Sequence, residues 1–167
     1  DRAKEDMARL IDEQFRFAAQ QYKVLAKNVP AERMPRTFNT KTNTVETSDT
    51  KWWCSGFFPG SLLYIYEYTK EAERRLAILE KEKHYTGNHD LGFMMYCSFG
   101  NAYRLFGKPE DKATIDTAAA SLATRYRPTI QVIQSWDSGK NFKCPVIIDN
   151  LMNLELLHWV SDHGGDA

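Results

Sequence analysis

The spacing of apolar side chains divides the chain into stretches of two kinds. Met7, Leu10, Ile11, Phe15, Ala18, Tyr22 and Leu25 recur at steps of three and four in a segment otherwise built from charged and polar residues. That pattern predicts an amphipathic helix over about 3–28 with one face on a core. Pro30 and Pro35 break it, and 37–50 is Thr, Asn, Lys and Asp with almost nothing to bury, which predicts an exposed loop. Since one helix cannot bury its own stripe, this loop is not a domain boundary. After an irregular entry through Gly56, Pro59 and Gly60, residues 62–69 predict a largely apolar helix. Residues 71–83 predict an amphipathic helix with Ala72, Leu76 and Leu79 on its buried face. Eleven of the sixteen residues in 91–106 are apolar or aromatic and spread right round the helical wheel, as in a helix buried on every side. Beyond Gly107 and Pro109, residues 110–126 return to a stripe of Ile115, Ala118, Ala119, Leu122 and Tyr126. A polar connection with Trp136, Gly139 and Lys140 leads to a last, mostly apolar helix over 144–160.

One-sided and all-round burial thus alternate, which is what two helical layers require with the apolar helices inside. The expectation is an all-α protein of about six helices, three inner and three outer, with 129–133 the only extended candidate. Six such helices curve without closing. An inner layer this apolar leaves an open hydrophobic edge, to be covered by further sequence or another chain.

Composition narrows the function. The 167 residues carry 22 basic and 22 acidic side chains, zero formal charge, so no electrostatic footprint for nucleic acid or an anionic membrane is present. The uncharged stretch between Leu91 and Arg104 is too short and too interrupted by Gly and Asn to span a bilayer, 52–66 is likewise broken by Gly and Pro, and a soluble protein is expected. Cys54, Cys97 and Cys144 are far apart and lack a C-x-x-C spacing, so neither a disulfide framework nor a zinc site is indicated. His84, His158 and His163 show no metal spacing. There is no G-x-S-x-G elbow and no phosphate loop. The first residue is Asp1 and no apolar signal-peptide core follows, which suggests a processed or trimmed N-terminus and leaves the address open between bacterial periplasm and cytoplasm.

Two acids lie among apolar neighbours: Asp90, at the entry to the most apolar helix, and Asp149, after Val146, Ile147 and Ile148 and before Leu151 and Met152. Loss of solvation disfavours the charged form, a property that suits a general acid near neutrality. Either acid can instead be a helix N-cap. Asn150 and Asn153 make the surroundings of Asp149 rich in hydrogen-bonding groups, with Asn153 one turn on and on the same face. The aromatic load of four Trp, eight Tyr and nine Phe can stack on sugar rings or fill a core.

Four runs, in order, carry a resemblance: WCSGFFPG at 53–60, HDLGF at 89–93, SWDSG at 135–139 and IDNLMN at 148–153. Together they resemble the unsaturated glucuronyl hydrolases of glycoside hydrolase family 88. The resemblance implies an (α/α)6 toroid, of which residues 1–167 form a partial catalytic domain, about the N-terminal half. It implies an enzyme that removes a 4,5-unsaturated uronic acid from the non-reducing end of lyase-generated oligosaccharides of glycosaminoglycan or pectin origin, with no cofactor and no metal. A related unsaturated rhamnogalacturonyl hydrolase activity shares that logic. By the same resemblance Asp149 is the acid/base and Asp90 its partner, whose charge would favour the protonated form of Asp149. Trp53, His89, Asn150 and Trp136 fall to substrate binding. The alternative from a different class is a non-catalytic helical module that binds sugar or a partner through its open edge.

Overall fold

The computed structural model describes residues 2–71, 75–137, 139 and 141–165. Ala72, Ser138 and Lys140, used in the sequence reading above, lie outside them.

Helix α1 (Arg2–Asn28) matches its predicted span. Only its second half packs: Ala19 and Ala26 are buried, Phe15 stacks on Tyr68 and Tyr22 on Phe58, whereas Met7, Leu10 and Ile11 are exposed, contrary to expectation. The last carbonyls of α1 are closed by Arg75, whose guanidinium donates to Ala26 O at 2.8 Å and Val29 O at 3.2 Å. The predicted exposed loop is instead an antiparallel hairpin, β1 (Met34–Asn39) with β2 (Thr44–Ser48), in register Met34↔Ser48 to Asn39↔Thr44. Thr, Val and Phe suit a pleated backbone even with both faces wet, and Asn43 takes the positive φ, 55°, that closes the turn. Met34 anchors the hairpin base, fully buried in the core.

Helix α2 (Phe57–Thr69) starts five residues before the predicted span, with Pro59 in the first turn, where a missing N–H costs nothing. A Cβ at Gly60 would collide with the Cys97 carbonyl, so the two backbones touch. Where a helix was expected over 71–83, the described part, residues 75–84, holds turns and a short 3₁₀ segment, Glu80–His84. Residues 91–106 do form one helical run, as α3 (Leu91–Met95), a wide π turn (Tyr96–Gly100) and α4 (Asn101–Phe106). All five residues of α3 are buried. Gly107, at φ 61°, ends the run, and Pro109 opens α5 (Pro109–Ala123), which buries Ile115, Ala118, Ala119 and Leu122 as predicted. Tyr126 leaves the stripe: it is exposed in a second small hairpin, β3 (Tyr126–Arg127) with β4 (Val132–Ile133). The final helix begins at 150, not 144, as α6 (Asn150–Asn153) and α7 (Glu155–Asp162) joined at Leu154.

The core gathers Met34, Leu79, Leu91, Met94, Met95, Ile115, Leu122 and Leu156 around α3, which packs on α5, α6 and α7. Among the described residues no helix is long and apolar enough to cross a bilayer. The three cysteines are free and half-buried.

Candidate active site

Three irregular segments, each too short for a core of its own, are tied into one assembly at the N-terminal ends of α3 and α6. The first carries His89 and Asp90. His89 N–H donates to Ser135 O at 2.8 Å, and Asn88 pairs with Trp136 as an isolated antiparallel bridge. The second, around Ser135, holds the third: Ser135 N–H donates to Pro145 O at 2.9 Å and Ser135 Oγ accepts from Ile147 N–H at 3.0 Å. Beneath them lies Arg125, only 3% exposed, whose guanidinium donates to Gln134 O at 2.7 Å and to Thr86 O. The same guanidinium pairs with Asp137 Oδ1 at 3.4 Å, and through its backbone acceptors it fixes the two loops that flank His89.

The segments bring the two acids together. His89 Nε2 lies 3.2 Å from Asp90 Oδ1 and 3.4 Å from Asp149 Oδ1, although 59 residues separate the acids in sequence (149 minus 90). One polar atom from each of the three side chains lies within 4.8 Å of the others, close enough to exchange protons. Both acids immediately precede a helix, α3 and α6, yet neither carboxylate makes a capping hydrogen bond, and both backbones are already helical, Asp90 at φ −64°, ψ −5° and Asp149 at φ −66°, ψ −12°. A capping residue takes extended dihedrals, so the N-cap reading of either acid fails on its backbone. Asp149 Oδ1 is buried with no hydrogen-bond partner among the described residues; the 3.4 Å approach of His89 is a contact without hydrogen-bond geometry. An unpaired buried carboxylate oxygen is unusual unless it carries a proton or meets a ligand.

The surroundings of Asp149 are not those expected from its sequence. Val146, Ile147, Ile148, Leu151 and Met152 are all exposed, Ile148 at 82%, so they do not wrap the carboxylate. The group that faces it is His89, from across the fold.

The remaining candidates separate into two groups. Trp136 and Trp53 are exposed and rim the acids: Trp136 tilts against the His89 ring at 6.3 Å, and Trp53 packs on Phe93, one turn from Asp90, at 6.2 Å. His89 and Asn150 are buried, His89 at 1% exposure, and Asn150 spends its amide on Ile133 O. Arg125 was not singled out from sequence, because a lone arginine after an amphipathic helix carries no signal there. Asn153 was noticed for its place next to Asp149 but given no role.

The charge of Asp90 is felt nearby. Burial pushes the Cys54 thiol up to about 11, with Asp90 adding to the rise. Burial also raises Tyr85, the nearby Arg125 pulls it down, and Asp90 adds a smaller rise.

No family model matches the chain. It is, however, 38% identical over 148 residues to an unsaturated glucuronyl hydrolase of Formosa agariphila, a match covering 83% of this chain and 36% of that protein. It is 29% identical over 173 residues to an unsaturated chondroitin disaccharide hydrolase of Streptococcus pneumoniae, covering 98% of this chain and 42% of that protein. Among solved structures, an unsaturated glucuronyl hydrolase specific for heparin superposes with a TM-score of 0.84 at 37% identity, over 90% of this chain and 42% of that one. The chain therefore spans about two fifths of the length of these relatives, which are α/α toroid enzymes, and its helices form the corresponding part of such a ring. On this sequence and structural likeness the chain belongs to the unsaturated glucuronyl hydrolases of glycoside hydrolase family 88.

Proposed function

We propose that the protein of which these residues are part hydrolyses oligosaccharides ending in a 4,5-unsaturated uronic acid, and that Asp149 and Asp90 are its reacting pair. The observation that carries the reading is the convergence of two uncapped carboxylates on one buried imidazole nitrogen, at 3.2 and 3.4 Å. Relatives named for unsaturated glucuronyl and chondroitin disaccharide substrates support the substrate class, a uronic-acid-terminated fragment of glycosaminoglycan or pectin type. A non-catalytic binding module would have no use for such a pair and is not favoured.

The chemistry follows from the substrate. C4=C5 joined to the ring oxygen is an enol ether, so a proton delivered to C4 leaves an oxocarbenium-like cation centred on C5. Water adds to C5 and gives its proton to the carboxylate just formed. The resulting hemiketal opens and the neighbouring sugar departs from C1, without direct attack at the anomeric carbon. One carboxyl group serves as acid and then as base, so the separation rule for paired glycosidase carboxylates does not govern this site. Asp149, the more exposed acid, carries the proton, while Asp90 receives sugar hydroxyls. His89 Nε2 faces both carboxylates at contact distance, within reach of a proton exchange with either. His89 and Asn150, both buried, act through the segments they hold rather than on the sugar, and Trp53 and Trp136 form the stacking walls. Further helices of the ring cover the apolar edge beside Asp149.

The test is turnover of an unsaturated glycosaminoglycan disaccharide, followed as loss of the conjugated C=C absorbance. Asp149→Asn keeps the fold and lowers kcat by roughly 100-fold to 10,000-fold. Wild-type turnover without effect of this substitution would remove Asp149 from the role.

A further inference from the structure

We propose that Asn153 is the positioning residue that sets the approach of the two acids, because its single side chain hydrogen-bonds the backbone of both acid-bearing segments. Its Oδ1 accepts from Phe93 N–H at 2.7 Å, in the first turn after Asp90. Its Nδ2 donates to the carbonyl of Asp149 itself at 3.3 Å. The residue is fully buried at the crossing of α3 and α6, and the backbones meet there so closely that a Cβ on Gly92 would overlap the Asn153 carbonyl.

Packing alone does not call for an amide at this point. A leucine of similar volume would fill the same space, and exchanging a buried polar contact for an apolar one of the same shape is often neutral when both partners are replaced. Here the partners are backbone groups that cannot be replaced. Phe93 N–H makes no backbone hydrogen bond to His89 O, the acceptor one turn back, and donates to Asn153 Oδ1 instead, so without Asn153 a buried donor is orphaned. The amide supplies an acceptor to one segment and a donor to the other, and so fixes their separation in a way no apolar side chain can. Ser135 makes a second tie between the same regions, but to His89 N–H and Ile147 N–H, not to the residues that carry the acids or follow them on α3.

The proposal rests on Asp90 and Asp149 being the reacting pair, but its test does not need turnover. In the full chain, the carboxyl carbon of Asp149 is titrated by NMR with and without Asp90→Asn, in the native background and with Asn153→Leu. In the native background Asp90→Asn displaces the Asp149 curve, as expected for carboxylates this close. With Asn153→Leu that displacement falls to about half or less, while Leu63→Ala, a core substitution on α2, which packs on α1, the π turn and α4, leaves it intact. An equal displacement in both backgrounds, with native circular dichroism, overturns the proposal. Asn153→Ala, which demands less room, decides the matter if the leucine variant does not fold. In an active enzyme the same substitution lowers kcat on the order of tenfold and changes KM less. Absence of turnover in the wild type would defeat the proposed function while the titration still decides the clamp.

Discussion

At the scale of single residues, the acids were legible and their surroundings were not. Asp90 and Asp149 stand out because carboxylates among apolar neighbours are rare in a core. Yet the neighbours of Asp149 point outward, and what faces the carboxylate is His89, a contact over 60 residues of sequence (149 minus 89) that no local pattern encodes. Capping was an open alternative for the same reason: the position before a helix is visible in sequence, but the dihedral that permits a cap is not. The reach of Asp90 can be read from a side chain outside the reaction. With its thiol pushed up to about 11, Cys54 is about one part in a thousand thiolate at pH 8, so it alkylates slowly. Asp90→Asn removes a negative charge that raises this value, so the thiol ionises more readily and Cys54 labels faster at fixed pH, on the order of a few-fold. Cys97, also held near 11 by burial with Glu155 adding, does not respond and serves as the internal reference. Peptide-resolved labelling with iodoacetamide measures both, and an unchanged Cys54 rate would contradict the electrostatic contact.

Among the elements, the long ones were readable: α1 and the run over 91–106 have the expected spans, and α5 ends three residues short of its own, because the apolar signal of each persists over several turns. The short ones were not. A hairpin with polar residues on both strands offers no alternation, and the Glu and Lys of 80–84 favour a helix that reaches only a 3₁₀ turn in the described residues. What positions the site is likewise a matter of close approach rather than pattern. Gly92 gives α3 no side chain where α6 crosses, and an added Cβ would meet Asn153 Cα at 2.6 Å, a backbone contact that cannot rotate away. Gly92→Ala must push the helices apart, at a cost of about 1–3 kcal/mol, and carry Asp149 away from Asp90 as it does so. Urea unfolding should show the loss, with turnover falling further than the stability change explains. A fully stable Gly92→Ala variant would mean that the crossing yields freely and is not what fixes the acids.

For the whole molecule, alternating burial forecast both the helical class and an unfinished edge, and the second expectation has a physical consequence. Phe142, Val146, Ile147, Ile148, Leu151 and Met152 are exposed within a dozen residues, and the groove beside them continues past Tyr126, Ile133 and Leu157. Monomeric soluble proteins seldom leave such a contiguous apolar face in water. The matched relatives are more than twice as long as the matched region, which fits further helices seated on this face. If so, Ile148 and Leu151 have two environments. In the 167-residue chain alone, Ile148→Ser and Leu151→Ser remove exposed surface, change stability by no more than about 0.5 kcal/mol each and reduce binding of a hydrophobic dye. In a form extended beyond residue 167 the same substitutions cost about 1.5–3 kcal/mol each, because they then take apolar area out of a core. Chemical denaturation of both forms separates the cases. Indifference in the longer form would leave the face open to water or to another chain, and the acids would then work at the mouth of an incomplete ring.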